Sequence, residues 1–166
     1  MPEHGQRHRP DPQKSLVEFI VGNVHYAIDI AHIREIVNPL VITPLPHSPP
    51  EVVGVADHRG EVVPIIDLRV RFGLTGSEPT RTTKWILVNS NRGLIGLVVD
   101  AVTEVFGTGG EELRPTPEIG GNKDIRGISG VVTRMRGDNQ RGTLTFVLDK
   151  ARIVDTVDGL MLPEVL

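Results

Sequence analysis

The stretch RGEVVPIIDLR, residues 59–69, decides the fold predicted for this chain. The run from Glu61 to Ile66 is rich in β-branched residues and predicts a strand. Gly60 ends the tight turn before it, because glycine adopts a positive φ without strain. Asp67 stands where a helix N-cap belongs, and the short helix that follows ends at Gly73. The stretch therefore predicts a turn, a buried strand and a short capped helix.

The same pattern returns 82 residues later, and a second set of matches has a constant offset of 69. The offset of 82 pairs Arg59 with Arg141, Gly60 with Gly142, Val62 with Leu144, Ile65 with Val147, Ile66 with Leu148 and Asp67 with Asp149. The offset of 69 pairs Ala27 with Gly96, Ile28 with Leu97, Ile30 with Val99, Ile33 with Val102, Glu35 with Glu104 and Ile36 with Val105. Constant offsets across whole strands indicate a duplication, although strands rich in Val and Ile also resemble one another without one.

A duplicated five-strand unit predicts an all-β fold of two small antiparallel barrels packed on a shared core. Closing each sheet into a barrel removes exposed strand edges. A single barrel of this size would be only marginally stable on its own, so the two should share a core. We expect Ile66 and Leu148 to point into their own barrels, and a groove to lie where the barrels meet.

Turn and strand signals divide the rest of the chain. Residues 15–21 and 26–30 form a hairpin around Gly22-Asn23, and the proline-rich stretch 39–50 reads as an edge strand that passes into a loop. The polar stretch 75–83 is the best internal boundary. The predicted organisation is a flexible tail at 1–14, a domain at 15–155 and a C-terminal segment at 156–166. Within the domain, the first barrel covers about 24–74 and the second about 84–148, with 15–23 and 149–155 completing or bridging them.

Composition narrows the function. The formal net charge is −3 and aromatic residues make up 4%, which disfavours a nucleic-acid-binding surface, although a small nucleic-acid-binding barrel is the second interpretation. Cysteine is absent, no apolar run approaches the roughly 20 residues of a membrane span, and the N-terminus lacks a signal-peptide core.

No constellation of catalytic residues stands out. His32 and Glu35 could share a helical face, but further metal ligands are not nearby in sequence, so an enzyme built on them is a third and weaker interpretation. The serines fall in no nucleophile elbow, and the glycines at 107–110 lack the lysine of a phosphate loop. We expect neither catalysis nor a bound metal or cofactor, and the chain reads as a binding module.

Residues 59–69, together with 26–30, 34–36, 54–55, 96–102 and 113–118, resemble the chemotaxis coupling protein CheW family in order and spacing. The resemblance implies two SH3-like five-stranded barrels with short helices and no enzymatic activity. It implies a cytoplasmic scaffold, recruited to receptor arrays at the inner membrane without inserting into it. The implied partners are the regulatory domain of a CheA-type histidine kinase and the cytoplasmic tip of a chemoreceptor; nucleic acid is not among them.

The resemblance also implies site residues, and an apolar strip adds to them: Ile33, Ile36, Val37, Leu40 and Val41. The strip is more apolar than a proline-broken edge segment needs, so we expect part of it to be exposed and to contact a partner. Residues expected to contact the kinase are Ile33, Glu35, Ile36, Val37, Leu40, Val41, Arg114 and Ile119. Residues expected to contact the receptor are Gly54, Arg59 and Trp85. The sequence departs from the family where Asp57-His58 replaces the usual Asn-Leu, and where Ile119 replaces an aromatic residue.

Overall fold

A computed structural model describes residues 15–107, 113–115, 127–136 and 139–158. These residues form ten strands, two short α-helices and one turn of 3-10 helix at Ile30–His32. The strands are β1 Ser15–Val21, β2 Val24–Asp29, β3 Ile33–Val37, β4 Val52–His58, β5 Glu61–Asp67, β6 Lys84–Ser90, β7 Gly93–Val99, β8 Ala101–Gly107, β9 Ile128–Arg136 and β10 Asn139–Leu148. The helices are α1 Leu68–Arg71 and α2 Lys150–Asp158.

The strands form two sheets of five. Sheet A has the order β8-β1-β2-β10-β9, and sheet B has the order β3-β6-β7-β5-β4. Neighbouring strands are antiparallel except β2 with β10 and β5 with β7, which are parallel. The expected fold class, all-β with two five-stranded units and short helices, is confirmed. Among the described residues the edge strands of a sheet do not pair through their backbones, so each sheet is open rather than a closed barrel.

The two sheets repeat one another residue by residue. In sheet A, Ala27 pairs with Val147; in sheet B, Gly96 pairs with Ile65, which is the same contact under the offsets of 69 and 82. A register shift follows Glu18 where β1 pairs with β8, and the matching shift lies between Ile33 and Glu35 in sheet B. The β4–β5 and β9–β10 ladders also correspond, with an offset of 76 between β4 and β9. The aligned residues of the two halves therefore occupy equivalent places.

The strands do not divide between the sheets as the boundaries 24–74 and 84–148 predict. Strands β1 and β2 join the last three strands of the chain, and β6 and β7 join β3, β4 and β5. The reason is the length of the connections. Residues 30–32 join β2 to β3, and Asp100 alone joins β7 to β8. Within one sheet these connections would have to link parallel strands across a neighbour, which takes about a dozen residues. The first hairpin of each half of the sequence therefore belongs to the sheet that holds the last three strands of the other half.

Three apolar clusters result from this exchange. The largest lies between the sheets, and smaller ones fill sheet B around Trp85 and sheet A around Leu16. Ile66 and Leu148 are 0% and 4% exposed, so both are core residues, as expected. The expectation that they point into their own barrels is wrong, because both lie in the cluster that the two sheets share. Side chains alternate along a strand, so their neighbours Ile65 and Val147 face the interiors instead.

The predicted caps and turns are present. Asp67 accepts a hydrogen bond from the Arg69 backbone N–H at 2.9 Å, and Asp149 accepts one from Ala151 at 3.0 Å, each at the start of a helix. Gly22 has a φ of 63° in the turn between β1 and β2. These local features follow directly from the residue types.

Candidate partner-binding surface

The apolar strip that runs from β3 into the following segment is partly exposed. Ile36 and Leu40 are each 38% exposed and Val41 is 87% exposed. Ile33 and Val37 are half-buried and pack against the shared core and the core of sheet B. An edge strand carrying exposed apolar side chains that continue into an irregular segment is the kind of surface that partners use. The part of the strip available to a partner is therefore Ile36, Leu40 and Val41.

Glu35 holds the tip of the β4–β5 hairpin against this strip. Its Oε1 lies 3.2 Å from Nε2 of His58, and its Oε2 accepts a hydrogen bond from Arg59 at 3.1 Å. The side chain of Arg59 is 75% exposed, whereas that of Glu35 is 30% exposed. The cluster joins β3 and β4, the two edge strands of sheet B, so residues expected to serve two different partners lie side by side.

The hairpin tip presents Arg59 in an uncommon backbone conformation. Arg59 has a φ of 54° and Gly60 a φ of 84°, so both residues of this two-residue loop are in the left-handed region. Such loops favour Asn and Gly, and a long side chain there is unusual. Asp57 closes the turn by accepting a hydrogen bond from the Gly60 N–H at 2.8 Å. The fold therefore holds the Arg59 guanidinium out at the tip of a rigid hairpin.

Gly54 and Trp85, both expected at the receptor contact, lie inside the molecule. Trp85 is 2% exposed and belongs to the core of sheet B. Gly54 has a φ of 147°, and a Cβ there would overlap the carbonyl oxygen of Thr43. Thr43 forms a bridge with Val55 through two backbone hydrogen bonds of 2.8 Å. The structure gives these two residues packing roles, so any effect on a partner would be indirect.

A cavity of about 240 Å³ lies behind the strip. Its walls include Leu40, Trp85, Asp67, Arg69 and Asp100. Arg69 donates to an Asp100 carboxylate oxygen at 2.8 Å. Burial raises the pKa of Asp67, while hydrogen bonds from the backbone N–H groups of the helix and the charge of Arg69 oppose the rise. The cavity adjoins the strip, and nothing in the sequence pattern predicted it.

The second predicted kinase contact is described only in part. Arg114 is exposed, forms an isolated bridge with Val131, and donates to the Thr133 hydroxyl. This bridge repeats in sheet A the one that Thr43 makes in sheet B. Ile119 lies outside the described residues.

The enzyme interpretation depends on His32 and Glu35, and no hydrogen bond joins these two side chains in the described part of the chain. Glu35 binds His58 and Arg59, and Nδ1 of His32 is buried without a hydrogen-bond partner among the described residues. Within the described ranges, no three His, Asp or Glu side chains are grouped so that they could hold a metal ion. None of the helices in this part of the chain is long and apolar enough to cross a membrane.

Sequence reasoning missed His58, which joins Arg59 in binding Glu35. In the sequence, His58 stands out only as a departure from the family pattern. The repeat matches Glu35 with Glu104 but gives no partner for either. In sheet A, Glu104 pairs with Arg134, whose place in the repeat corresponds to that of His58. In both sheets, a carboxylate on one edge strand thus bonds a nitrogen-bearing side chain on the other, and this likeness can be recognised only once the register is known.

Comparison with known proteins gives consistent matches. A family model described as CheW-like domain matches residues 15–158. The probable chemotaxis protein CheW of Rhizobium etli is 36% identical over 125 residues, covering 74% of this chain and 81% of that protein. Chemotaxis protein CheW of Rhizobium meliloti is 33% identical over 132 residues, covering 78% and 85%. The crystal structure of the scaffolding protein TtCheW from Thermoanaerobacter tengcongensis has a TM-score of 0.70 and 28% identity, covering 86% of this chain and 87% of that one.

Proposed function

The chain belongs to the family of CheW-like domains, and we propose that it is a non-enzymatic adaptor that couples chemoreceptors to a CheA-type histidine kinase. Its place would be the cytoplasm, at receptor arrays on the inner membrane. The observation that carries the proposal is the exposed apolar strip on edge strand β3, fixed beside the Glu35 cluster. The strip supports a protein partner rather than a small substrate, because it is an open surface.

The kinase contact centres on Ile36, Leu40 and Val41 in this proposal. All three are exposed and apolar, and they lie close together in the sequence. Burying such side chains at the centre of an interface excludes water and usually supplies much of the binding energy. Arg114, which bridges Val131 of sheet A, would form the second kinase contact together with Ile119.

The receptor contact centres on Arg59. Its side chain is exposed, it sits on a rigid hairpin, and its planar fork of donors suits the carboxylates and carbonyls of a helical tip. Its bond to Glu35 is a surface ion pair, which contributes little and can be exchanged for a partner's carboxylate. Gly54 and Trp85 would support this contact from inside the sheet.

Titration of the regulatory domain of the cognate kinase tests the proposal. Ile36→Glu places a charge at the centre of the strip, and we expect Kd to rise by about 5- to 30-fold, which corresponds to about 1–2 kcal/mol. Val24→Glu is the matched control, because Val24 is 37% exposed and lies on sheet A. Unchanged Kd in a folded Ile36→Glu variant would move the interface elsewhere. A salt-dependent mobility shift of nucleic acid would instead favour the nucleic-acid-binding barrel.

A further inference from the structure

Sheet A contains a buried carboxylate that the proposed function does not use. Glu18 on β1 is 0% exposed. Its Oε1 accepts hydrogen bonds from Thr103 on β8 at 3.0 Å and from Arg134 on β9 at 3.2 Å. Its Oε2 accepts one from Thr145 on β10 at 2.8 Å and lies 3.2 Å from Nδ1 of His25 on β2. One side chain therefore bonds to the other four strands of its sheet.

Sheet B reaches the same fold without this network. Three of the equivalent places hold apolar residues: Leu87 for Glu18, Leu94 for His25 and Val63 for Thr145. All three are buried in the core of sheet B. Thr103 and Arg134 correspond to Arg34 and His58. A buried ion pair seldom stabilises a protein more than apolar residues of similar volume. A sheet of this topology therefore forms without such a network.

The network crosses the gap between the two edge strands of sheet A, β8 and β9. We call such a gap between edge strands the seam of the sheet. Arg134, on edge strand β9, also donates to Glu104 on the opposite edge strand β8 at 2.8 Å. Its guanidinium carbon lies 3.7 Å from the centre of the Phe106 ring, again on β8. Within the described residues of β8 and β9, backbone hydrogen bonds do not join these two edges. Glu18 bonds Arg134 from the interior and so fixes the side chain that spans the gap.

The seam of sheet B is held differently. Glu35 and His58 occupy the places of Glu104 and Arg134 and lie 3.2 Å apart. The interior residue at the place of Glu18 is Leu87, which offers no hydrogen bond. The corresponding seam is therefore tied by Glu35 with His58, and an interior carboxylate does not anchor it.

We propose that Glu18 is a positioning residue that fastens the seam of sheet A and holds edge strand β8 in one geometry through Arg134. Sheet B, whose tie has no interior anchor, has the more adjustable seam. The proposal does not depend on the identity of any partner. It assigns a fixed edge to one sheet and a deformable edge to the other, although the two sheets share their topology and register.

Hydrogen exchange on the whole chain tests this inference. Glu18→Leu installs the side chain found at the same place in sheet B. We expect the variant to fold, with amides of β8, residues 101–107, exchanging at least about tenfold faster and those of β6 and β7 unchanged. Glu18→Gln, which keeps one acceptor oxygen and so serves one of the two threonine hydroxyls, should recover part of the protection. Glu104→Gln keeps an acceptor oxygen for Arg134 and leaves Glu18 in place, so it should accelerate exchange in β8 less than Glu18→Leu does.

Two results overturn the inference. The first is unchanged exchange in β8 of Glu18→Leu; the second is equal acceleration in all ten strands, which indicates a purely structural role. If Glu18→Leu does not fold, Arg134→Met is measured in the same way and judged by the same outcomes. Failure of both variants to fold also contradicts the proposal, because the network would then be a requirement of the fold.

Discussion

Replacing Gly54 with alanine should detach the segment that carries Leu40 and Val41 from sheet B. The new Cβ would overlap the Thr43 carbonyl oxygen and lie 2.7 Å from Cγ2 of Ile42. To make room, Thr43 must move and lose its two backbone hydrogen bonds to Val55, worth about 1 kcal/mol each. A non-glycine residue at a φ of 147° adds roughly 1–3 kcal/mol of strain. We expect a loss of about 3–5 kcal/mol in the free energy of unfolding.

Urea denaturation followed by tryptophan fluorescence measures this loss, because Trp85 is the single tryptophan and lies in the core of sheet B. Gly107→Ala is the matched control: an added Cβ there meets nothing within 4 Å, so its stability should change by no more than about 0.5 kcal/mol. If Gly54→Ala unfolds like the control, the packing argument is wrong. If that stable variant also loses receptor binding, Gly54 is itself a contact residue, as the family resemblance implies.

Three other predictions concern stability and recognition. Ile66→Ala and Leu148→Ala should each cost about 2–5 kcal/mol, measured by the same denaturation, since both open a cavity in the core that the sheets share; parent-like stability in both would contradict that core. Arg59→Gly should leave stability nearly unchanged, because relief of the left-handed backbone offsets a surface ion pair, while receptor-dependent kinase activation falls; intact activation would make Arg59 structural. Burial raises the pKa of Asp67 in the folded protein above its usual value of 3.8. The contribution of this side chain to stability is therefore complete below pH 3.8 and is lost as the pH rises through the pKa of the folded protein. Asp67→Asn, which keeps a cap but cannot ionise, should therefore gain stability relative to the parent from pH 3.8 upward, and a gain that shrinks with rising pH would show the opposite sign.

Sequence reasoning predicted what local chemistry decides. The cap at Asp67, the turn at Gly60 and the burial of Ile66 follow from residue type and neighbours alone. The repeat also located equivalent strands correctly, because β-strand periodicity and constant offsets survive without knowledge of the partners. The exposed part of the apolar strip was predicted in the same way, from more apolar residues than a proline-broken edge segment needs.

What the sequence did not reveal depends on which strands meet. The exchange of hairpins is dictated by the one-residue connection at Asp100, whose consequence appears only when strand directions are known. The buried network of Glu18 could not be predicted for the same reason, since its partners Thr103 and Thr145 lie far away in sequence. A lone glutamate in a strand reads as solvent-facing until four other strands are placed around it.

The most direct test of the central claim is kinase activity in a reconstituted mixture of receptor-containing membranes, the cognate CheA-type kinase and this chain. The adaptor account predicts that the receptor stimulates the kinase only when the chain is added. It also predicts that Ile36→Glu, at matched concentration and in folded form, removes most of that stimulation, whereas Val24→Glu keeps it. Equal kinase activity with and without the chain, together with no measurable binding to either component, would contradict the account.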